Sequence, residues 1–365
     1  MLRLPIAATH KRALETCVYC PKLCRASCPV SNAEASETLT PWGKMSLTYF
    51  AARGDVPIDE THAEPAWACT GCYACRERCD HKNEPAVALV DARADFFQRG
   101  VAPEEATKVA LETARRDEET RQALDEIERE DSRDNNATTG VLVGCGYARK
   151  AKEEARDALH VAARLTGGPV RAIRACCGLP SLYAGDREGF QAAAARLARE
   201  VAPLSRVVVV DPGCARALLV EHPRLGITTQ KKPELLIDLA FASLHKLKTL
   251  PELKDKPVRW FPPCQLGRGL GRYDEPRALL AKICGREADT FLREREQSEC
   301  SGAGGLLPVT RPSTSEAIAD GRIAEHQARG GGMLVTACAS SLRRFRSRGE
   351  PAVDLIHLLS RALDG

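Results

Sequence analysis

Two short runs of cysteine near the amino end constrain the fold of this chain more than any other feature. They contain half of the 16 cysteines in 365 residues. The amino-terminal segment has no apolar stretch of signal-peptide length, so we expect a reducing, cytoplasmic location in which a disulfide framework is disfavoured. Clustered thiols in such a compartment indicate metal or redox chemistry. The runs are Cys17, Cys20, Cys24, Cys28 and Cys69, Cys72, Cys75, Cys79.

The spacing of the second run predicts how the two runs pair. C-x2-C-x2-C-x3-C is the spacing by which three thiolates hold one [4Fe–4S] cluster while the fourth ligates another. The first run departs from it by one residue, because three residues separate Cys20 from Cys24. We define the two predicted ligand sets as site 1, which is Cys17, Cys20, Cys24 and Cys79, and site 2, which is Cys28, Cys69, Cys72 and Cys75.

The alternative for these eight thiols is a pair of structural zinc sites with four cysteines each. Zinc usually takes two separated cysteine pairs, whereas here four thiols crowd into about a dozen residues, twice. The segment 41–54 between the runs has a helical pattern. We therefore predict an α-helical ferredoxin domain with two [4Fe–4S] clusters over residues 1–99.

Residues 100–137 are dense in charge and predict a domain linker. We expect a solvated helix with many i,i+4 ion pairs that ends near Asn135 and Asn136. Its apolar residues are too sparse for a core of their own; they are Val109, Leu111, Leu124 and Ile127.

Beyond residue 138 the pattern changes to short apolar runs, each followed by a cysteine. The runs 141–144, 207–213, 258–263 and 333–337 end at Cys145, Cys214, Cys264 and Cys338. Alanine-rich helical stretches separate them, which predicts parallel strands with crossover helices. Since sites in such sheets form beyond the carboxyl ends of the strands, the cysteines are placed for a shared site.

The second half of the chain is an internal duplication. The spacing from Cys176 to Cys214 equals that from Cys300 to Cys338, and Cys176-Cys177-Gly178 corresponds to Cys300-Ser301-Gly302. We predict two parallel α/β modules, over residues 138–250 and 251–365. The expected fold class is thus α/β with an all-α amino-terminal part.

Two cluster runs followed by two Cys…CysCysGly…Cys modules resemble the heterodisulfide-reductase-type iron–sulfur proteins. This group includes the iron–sulfur protein of glycolate oxidase, the corresponding C component of anaerobic glycerol-3-phosphate dehydrogenase and lactate utilisation protein A. The resemblance implies that each module can bind a cluster through Cys…CysCysGly…Cys-x-x-Cys. Carried over to this chain, it assigns Cys145, Cys176, Cys177 and Cys214 to the first module and Cys264, Cys300 and Cys338 to the second.

Both modules depart from the family pattern. Ala217 replaces the last cysteine of the first module, and Ser301 and Ser341 replace two cysteines of the second. We expect a further iron–sulfur cluster, or zinc, in the first module, whereas three thiols make a cluster in the second doubtful. A five-cysteine non-cubane cluster cannot be built from either set, which weakens heterodisulfide reduction as the activity.

The resemblance implies an electron-transfer subunit of a multi-subunit oxidoreductase. A flavoprotein dehydrogenase acting on a 2-hydroxy acid or glycerol phosphate would supply electrons, and a quinone-reducing or membrane subunit would accept them. Two alternatives are a thiol–disulfide reductase acting at the first module and a non-redox metal-binding scaffold. No GxGxxG motif follows a strand, so we expect the chain to bind neither flavin nor nicotinamide.

Composition excludes two further classes of function. A net charge of +4 and 5% aromatic residues do not provide a nucleic-acid surface. No apolar run approaches the roughly 20 residues that span a bilayer. We therefore expect membrane association, if any, at the inner face and through a partner subunit.

Overall fold

The computed structural model describes residues 2–130, 137–228 and 231–364. Its residues form two compact units. Helices account for 59% of the structure, and the described residues also contain two small parallel sheets, as expected for α/β with a helical amino-terminal part. Unit 1 comprises Met1–Thr113, Pro180–Phe190 and Arg293–Arg322, and unit 2 comprises Ala114–Leu179, Gln191–Leu292 and Ile323–Gly365. The domain boundaries that we expected from the sequence stay predictions.

The α-helices of the described residues range in length from 3 to 18 residues. They are α1 Lys11–Val18, α2 Pro29–Glu34, α3 Pro41–Arg53, α4 Glu60–Ala63, α5 Ala74–Glu77, α6 Pro85–Gln98, α7 Glu104–Leu111, α8 Thr113–Glu130, α9 Cys145–Lys150, α10 Lys152–Thr166, α11 Leu179–Ala184, α12 Arg187–Val201, α13 Pro212–Arg216, α14 His222–Arg224, α15 Leu236–Ala242, α16 Gly267–Leu270, α17 Asp274–Cys284, α18 Leu307–Thr310, α19 Pro312–Ala328, α20 Ala339–Ser347 and α21 Leu355–Asp364. The strands are β1 Thr139–Leu142, β2 Val170–Ala172, β3 Arg206–Val209, β4 Glu234–Leu235, β5 Val258–Trp260, β6 Met333–Thr336 and β7 Val353–Asp354.

Unit 1 is built around α3 and α6, between which its core lies. Helix α3 confirms the predicted helix of segment 41–54. It begins where the Thr40 hydroxyl accepts a hydrogen bond from the Gly43 amide at 3.1 Å, and it ends at Gly54, whose φ of 91° suits glycine. The packed core around these helices consists of buried apolar side chains, among them Leu14, Met45, Trp67, Leu89 and Phe96.

Unit 2 contains both sheets, and all described strand pairs in it are parallel. The first sheet has the order β2-β1-β3-β4, and the second has the order β5-β6-β7. In the first, Thr139 lies opposite both Val170 and Arg206, and in the second Val258 lies opposite Met333. The order β1-β3-β4 matches β5-β6-β7, which is the arrangement that a duplication predicts. Among the described residues, the second sheet has no strand that corresponds to β2. An isolated parallel bridge between Arg259, in β5, and Asp289 is found instead.

Helix α8 corrects one expectation for the charged linker. Leu124 and Ile127 are 2% and 0% exposed and belong to the core of unit 2, so this helix is not solvated on all sides. Their spacing of three residues places both on one helix face. Two apolar side chains are enough to bury that face, because the rest of the unit 2 core supplies the surface against which it packs. The predicted helix end at Asn135 and Asn136 lies outside the described residues.

Among the described residues, none of the helices combines the length and the apolar character that crossing a bilayer requires. Cys284, on α17, is a core thiol whose side chain is fully buried.

Candidate metal centres

The thiols predicted for site 2 surround one small cavity in unit 1. Its walls include Cys28, Cys69, Cys72 and Cys75. Cys28 directly precedes α2, and Pro29 occupies the first turn of that helix. Gly71 and Tyr73 adopt left-handed φ angles of 68° and 60°, which turn the 69–75 loop so that its thiols face inward. The local backbone therefore brings the four members of site 2 to a common space.

The thiols predicted for site 1 surround a second small cavity in the same unit. Its walls include Cys17, Cys20, Cys24 and Cys79, together with Lys22, Trp42, His81 and Asn83. Cys75 and Pro85 line both cavities. The two sites are therefore neighbours that share a wall.

The donor chemistry of both cavities fits an iron–sulfur cluster. Burial raises the pKa of Cys17 to about 11, and burial followed by the charge of Cys17 raises the pKa of Cys24 to about 12. Burial raises the pKa of Cys75 well above its usual range. The negative charges of neighbouring thiolates raise it further, those of Cys69, Cys72 and Cys28 among them. Without metal these thiols therefore stay protonated, whereas a cationic iron core would stabilise the thiolates that it binds.

Polar side chains already donate to the sulfurs of both sites. Asn83 donates from Nδ2 to Cys17 Sγ at 3.4 Å, and Lys44 donates from Nζ to Cys28 Sγ at 3.5 Å. Hydrogen bonds to ligand atoms orient them and tune a bound metal centre. The sequence reasoning missed Lys44, because a lysine in a helix is usually a surface residue.

Arg93 is a second residue that the sequence reasoning missed. It is buried in α6, and its Nη2 donates to the carbonyl oxygen of Cys69 at 2.6 Å. Burial lowers the pKa of Arg93, but an arginine keeps its charge under such conditions. A lone arginine in the apolar stretch 85–97 is the sequence signal that could have identified it.

Cys300 lies in unit 1, whereas the other two thiols of the second module, Cys264 and Cys338, lie in unit 2. The Cys300 thiol donates to Thr70 Oγ1 at 3.7 Å, and Thr70 lines site 2. The glycine-rich segment after Cys300 packs on the same loop, because a Cβ on Gly304 would lie 2.5 Å from the Thr70 carbonyl oxygen. Cys300 is thus a neighbour of site 2.

The four thiols of the first module form a continuous chain of hydrogen bonds in unit 2. Side-chain hydrogen bonds connect Cys145 with Cys176, Cys176 with Cys177, and Cys177 with Cys214. The hydrogen bond to Cys176, together with burial, raises the pKa of Cys145 well above its usual range. For Cys214 the hydrogen bond with Cys177 lowers the pKa, but burial and the nearby charge of Asp211, with those of Cys145 and Cys176, together raise it to about 12. The structure therefore brings this predicted set together.

Asp211 connects the ends of β3 and β6 within unit 2. One carboxylate oxygen accepts from the Gly213 amide at 2.8 Å, and the other accepts from the Ala339 amide at 3.3 Å. Burial, then the charge of Asp211, raises the pKa of Cys338. Ala217 and Ser341, which replace family cysteines, are both buried. In the part of the chain that the structure describes, no group of three or more His, Cys, Asp or Glu side chains surrounds a position for a single metal ion.

Comparison with protein families matches both halves of the chain. Residues 13–83 match the 4Fe-4S dicluster domain, and residues 139–218 and 258–343 each match the cysteine-rich domain family. The internal duplication predicted from the cysteine spacing is thereby confirmed. The first match contains both cysteine runs.

Three relatives show the same type of protein. The B component of fumarate reductase (CoM/CoB) from Methanothermobacter marburgensis is 26% identical over 84% of this chain and 62% of its own length. The D component of dihydromethanophenazine:CoB–CoM heterodisulfide reductase from Methanosarcina barkeri is 27% identical over 43% of this chain and 41% of its own. Lactate utilization protein A of Shouchella clausii is 25% identical over 48% of this chain and 75% of its own.

The chain spans less than two thirds of the length of the first two of these relatives. The domain matches cover the cysteine runs and both duplicated modules. The chain is therefore an iron–sulfur protein of the heterodisulfide-reductase type, with one 4Fe-4S dicluster domain and two cysteine-rich domains.

Proposed function

We propose that the chain is the electron-transfer subunit of a multi-subunit oxidoreductase. The observation that carries this proposal is the grouping of eight thiols around two adjacent cavities in unit 1. Each cavity would hold one [4Fe–4S] cluster, bound by the four cysteines of site 1 or of site 2. A bound cluster of this kind accepts and releases one electron at a time.

The protein's own residues would separate the two clusters and hydrogen-bond to their ligands. Cys75 and Pro85 are the side chains that both cavities share, so the path between the two sites crosses a single layer of protein. Asn83 and Lys44 donate hydrogen bonds to one sulfur in each site. Such contacts fix the ligand geometry and adjust the reduction potential.

The partners follow from the type of protein rather than from the geometry. Two of the relatives are named as components of larger reductases, which supports a complex of several chains. A flavoprotein dehydrogenase that oxidises a 2-hydroxy acid or glycerol phosphate would deliver electron pairs, and this chain would pass them on singly. A quinone-reducing or membrane subunit would accept them and hold the otherwise cytoplasmic chain at the inner membrane face.

The hydrogen-bonded thiols of unit 2 favour a second candidate function, thiol–disulfide reduction. Cys145, Cys176, Cys177 and Cys214 would bind a further iron–sulfur cluster, at which a disulfide could be cleaved by two electrons and two protons. Zinc is not proposed here, because it has no redox chemistry and the described residues do not form a site for a single metal ion. Cys300 does not strengthen this candidate in the second module, because it contacts Thr70 in unit 1. We propose no cluster for Cys264 and Cys338.

Anaerobic purification with iron, acid-labile sulfide and zinc analysis tests the proposal. We expect about eight irons per chain for two [4Fe–4S] clusters, and about twelve if the first module also holds one. The visible absorption should bleach with dithionite. A colourless protein containing zinc would contradict the proposal, and reduction of a disulfide by the purified, reduced chain would favour the second candidate.

A further inference from the structure

Two buried cations lie beside site 2. The Lys44 side chain in α3 is 2% exposed, and its Nζ donates to Cys28 Sγ at 3.5 Å and to the Ala68 carbonyl oxygen at 2.6 Å. Arg93 in α6 is 1% exposed and donates to the Cys69 carbonyl oxygen at 2.6 Å. Lysine and arginine are rarely buried unless a negative charge compensates them.

Nearby carboxylates do not neutralise both cations. Glu34 acts electrostatically on Lys44, but its oxygens are bound by Arg311 at 2.5 and 2.7 Å and by Thr314 at 2.6 Å. Arg311 also binds Glu64. The hydrogen bonds of Arg93 in the described structure all go to carbonyl oxygens, those of Ala66, Cys69, Tyr183 and Gly305. Both cations act electrostatically on the Cys69 thiol, so the negative charge that would compensate them is that of thiolates in site 2.

Site 1 has a different electrostatic surrounding. The side chain that donates to a sulfur there is the neutral amide of Asn83. The cation that lines this cavity, Lys22, is only half-buried and lies over the Trp42 ring, 3.8 Å from its centroid. Water screens a half-buried charge far more than a buried one. The two sites therefore differ in buried positive charge.

We propose that Lys44 and Arg93 raise the reduction potential at site 2 above that at site 1, so that electrons collect at site 2. The inference rests on the proposed function, since it requires a cluster in each site. Reduction adds one negative charge to a cluster, and a buried cation stabilises that charge. One electron leaves the reduced centre at site 1 and arrives at the oxidised centre at site 2, and no bond is made or broken. Lys44 acts through Cys28, and Arg93 through the backbone of Cys69.

A redox titration of the full-length holoprotein followed by EPR tests this inference. The Cys20→Ala variant, which disables site 1, identifies the signal that belongs to site 2. In the wild type we expect the site 2 signal to titrate at the higher potential. Lys44→Met should lower the site 2 potential and leave that of site 1 unchanged, whereas Lys44→Arg, which retains the charge, should restore most of the difference.

Lys22→Met is the matched control, because it removes a lysine charge from the other cavity. We expect it to leave the site 2 potential unchanged and to shift site 1 less than Lys44→Met shifts site 2. The Lys44 effect should also persist at high salt, since a buried charge is poorly screened. If Lys44→Met loses iron, Lys44→Gln is used instead, because glutamine keeps a neutral hydrogen-bond donor. We expect Lys44→Gln to lower the site 2 reduction potential in the same way.

Three results would overturn the inference. One is a wild type in which site 1 has the higher potential. Another is a fully iron-loaded Lys44→Met or Lys44→Gln protein with unchanged potentials. The third is loss of site 2 iron in both neutral variants, because Lys44 would then hold the cluster rather than set its potential. A wild type without iron would instead refute the proposed function itself, so the two failures are distinguishable.

Discussion

Arg93 donates a hydrogen bond from Nη1 to the carbonyl oxygen of Gly305 at 3.1 Å, although 212 residues separate them in the chain. The same guanidinium binds the Cys69 carbonyl oxygen. Arg93 thus ties a glycine-rich segment, counted by sequence in the second cysteine-rich domain, to the loop that carries three thiols of site 2. Both partners belong to unit 1.

Gly305→Ala should weaken site 2. A Cβ at this position would overlap the Cys69 carbonyl oxygen, and the φ of 64° is unfavourable for alanine. We expect a loss of about 3 kcal/mol in the free energy of unfolding, from steric overlap and backbone strain together, and loss of about half of the iron in unit 1. Urea denaturation and iron analysis measure the two effects.

Gly331→Ala is the matched control for this substitution. Its φ of 62° is nearly the same, but no atom lies within 4 Å of the added Cβ. We expect only the strain of the left-handed backbone, about 1 kcal/mol, and full iron content. Equal effects of the two substitutions would show that the contact of Gly305 with the 69–75 loop does not contribute to stability or to iron binding.

Cys75→Ser should remove about one cluster's worth of iron. The Cys75 thiol lines site 2, and serine replaces its soft thiolate with a weaker ligand for iron. We expect about four of eight irons to be lost while the circular dichroism of the α/β part is retained. Cys284→Ala, at a buried core thiol, should lower stability and keep all iron. Unchanged iron in Cys75→Ser would refute the ligand assignment.

Cys177→Ser tests whether the first cysteine-rich domain holds a metal centre. Cys177 is hydrogen-bonded to both Cys176 and Cys214, so its loss interrupts the chain of thiols. If that chain binds a cluster, iron should fall from about twelve to about eight and part of the EPR signal should change. Identical spectra and iron content before and after substitution would exclude a cluster bound through this thiol.

The stability of unit 2 should depend on pH through Asp354. Burial raises the pKa of this carboxyl to about 7, although the Ile356 amide and the Tyr147 hydroxyl donate to it at 2.9 and 2.7 Å. Because the folded pKa lies above the unfolded value of about 4, the folded state binds the extra proton between these pH values. The contribution of Asp354 to stability is therefore full below pH 4 and declines as the pH rises to 7.

Within that pH window, the unfolding free energy should fall with a slope that approaches 1.4 kcal/mol per pH unit because of Asp354. Asp354→Asn, whose amide does not ionise, should remove it while keeping groups that can pair with Tyr147. The difference in unfolding free energy between wild type and variant, measured in urea from pH 4.5 to 8, checks this. A difference independent of pH would mean that Asp354 titrates normally.

Local sequence patterns predicted much of the fold. The apolar runs before Cys145, Cys214, Cys264 and Cys338 correspond to β1, β3, β5 and β6, because a short run between turn signals has few other ways to be buried. The cysteine spacing likewise predicted two sets of thiols, and the four thiols of each set lie around a common cavity. Short loops of fixed length restrict where their thiols can point, whereas the binding of clusters by these sets stays a prediction.

The sequence alone determined the cysteine runs, the duplication and four of the strands, since each is a pattern within a few dozen residues. Only the tertiary structure decided that Cys300 adjoins Thr70, that Lys44 and Arg93 are buried at site 2, and that Leu124 belongs to a core. These outcomes depend on contacts between segments far apart in the chain. No local period encodes such contacts, because burial of a side chain is fixed by whatever surface the rest of the fold places against it.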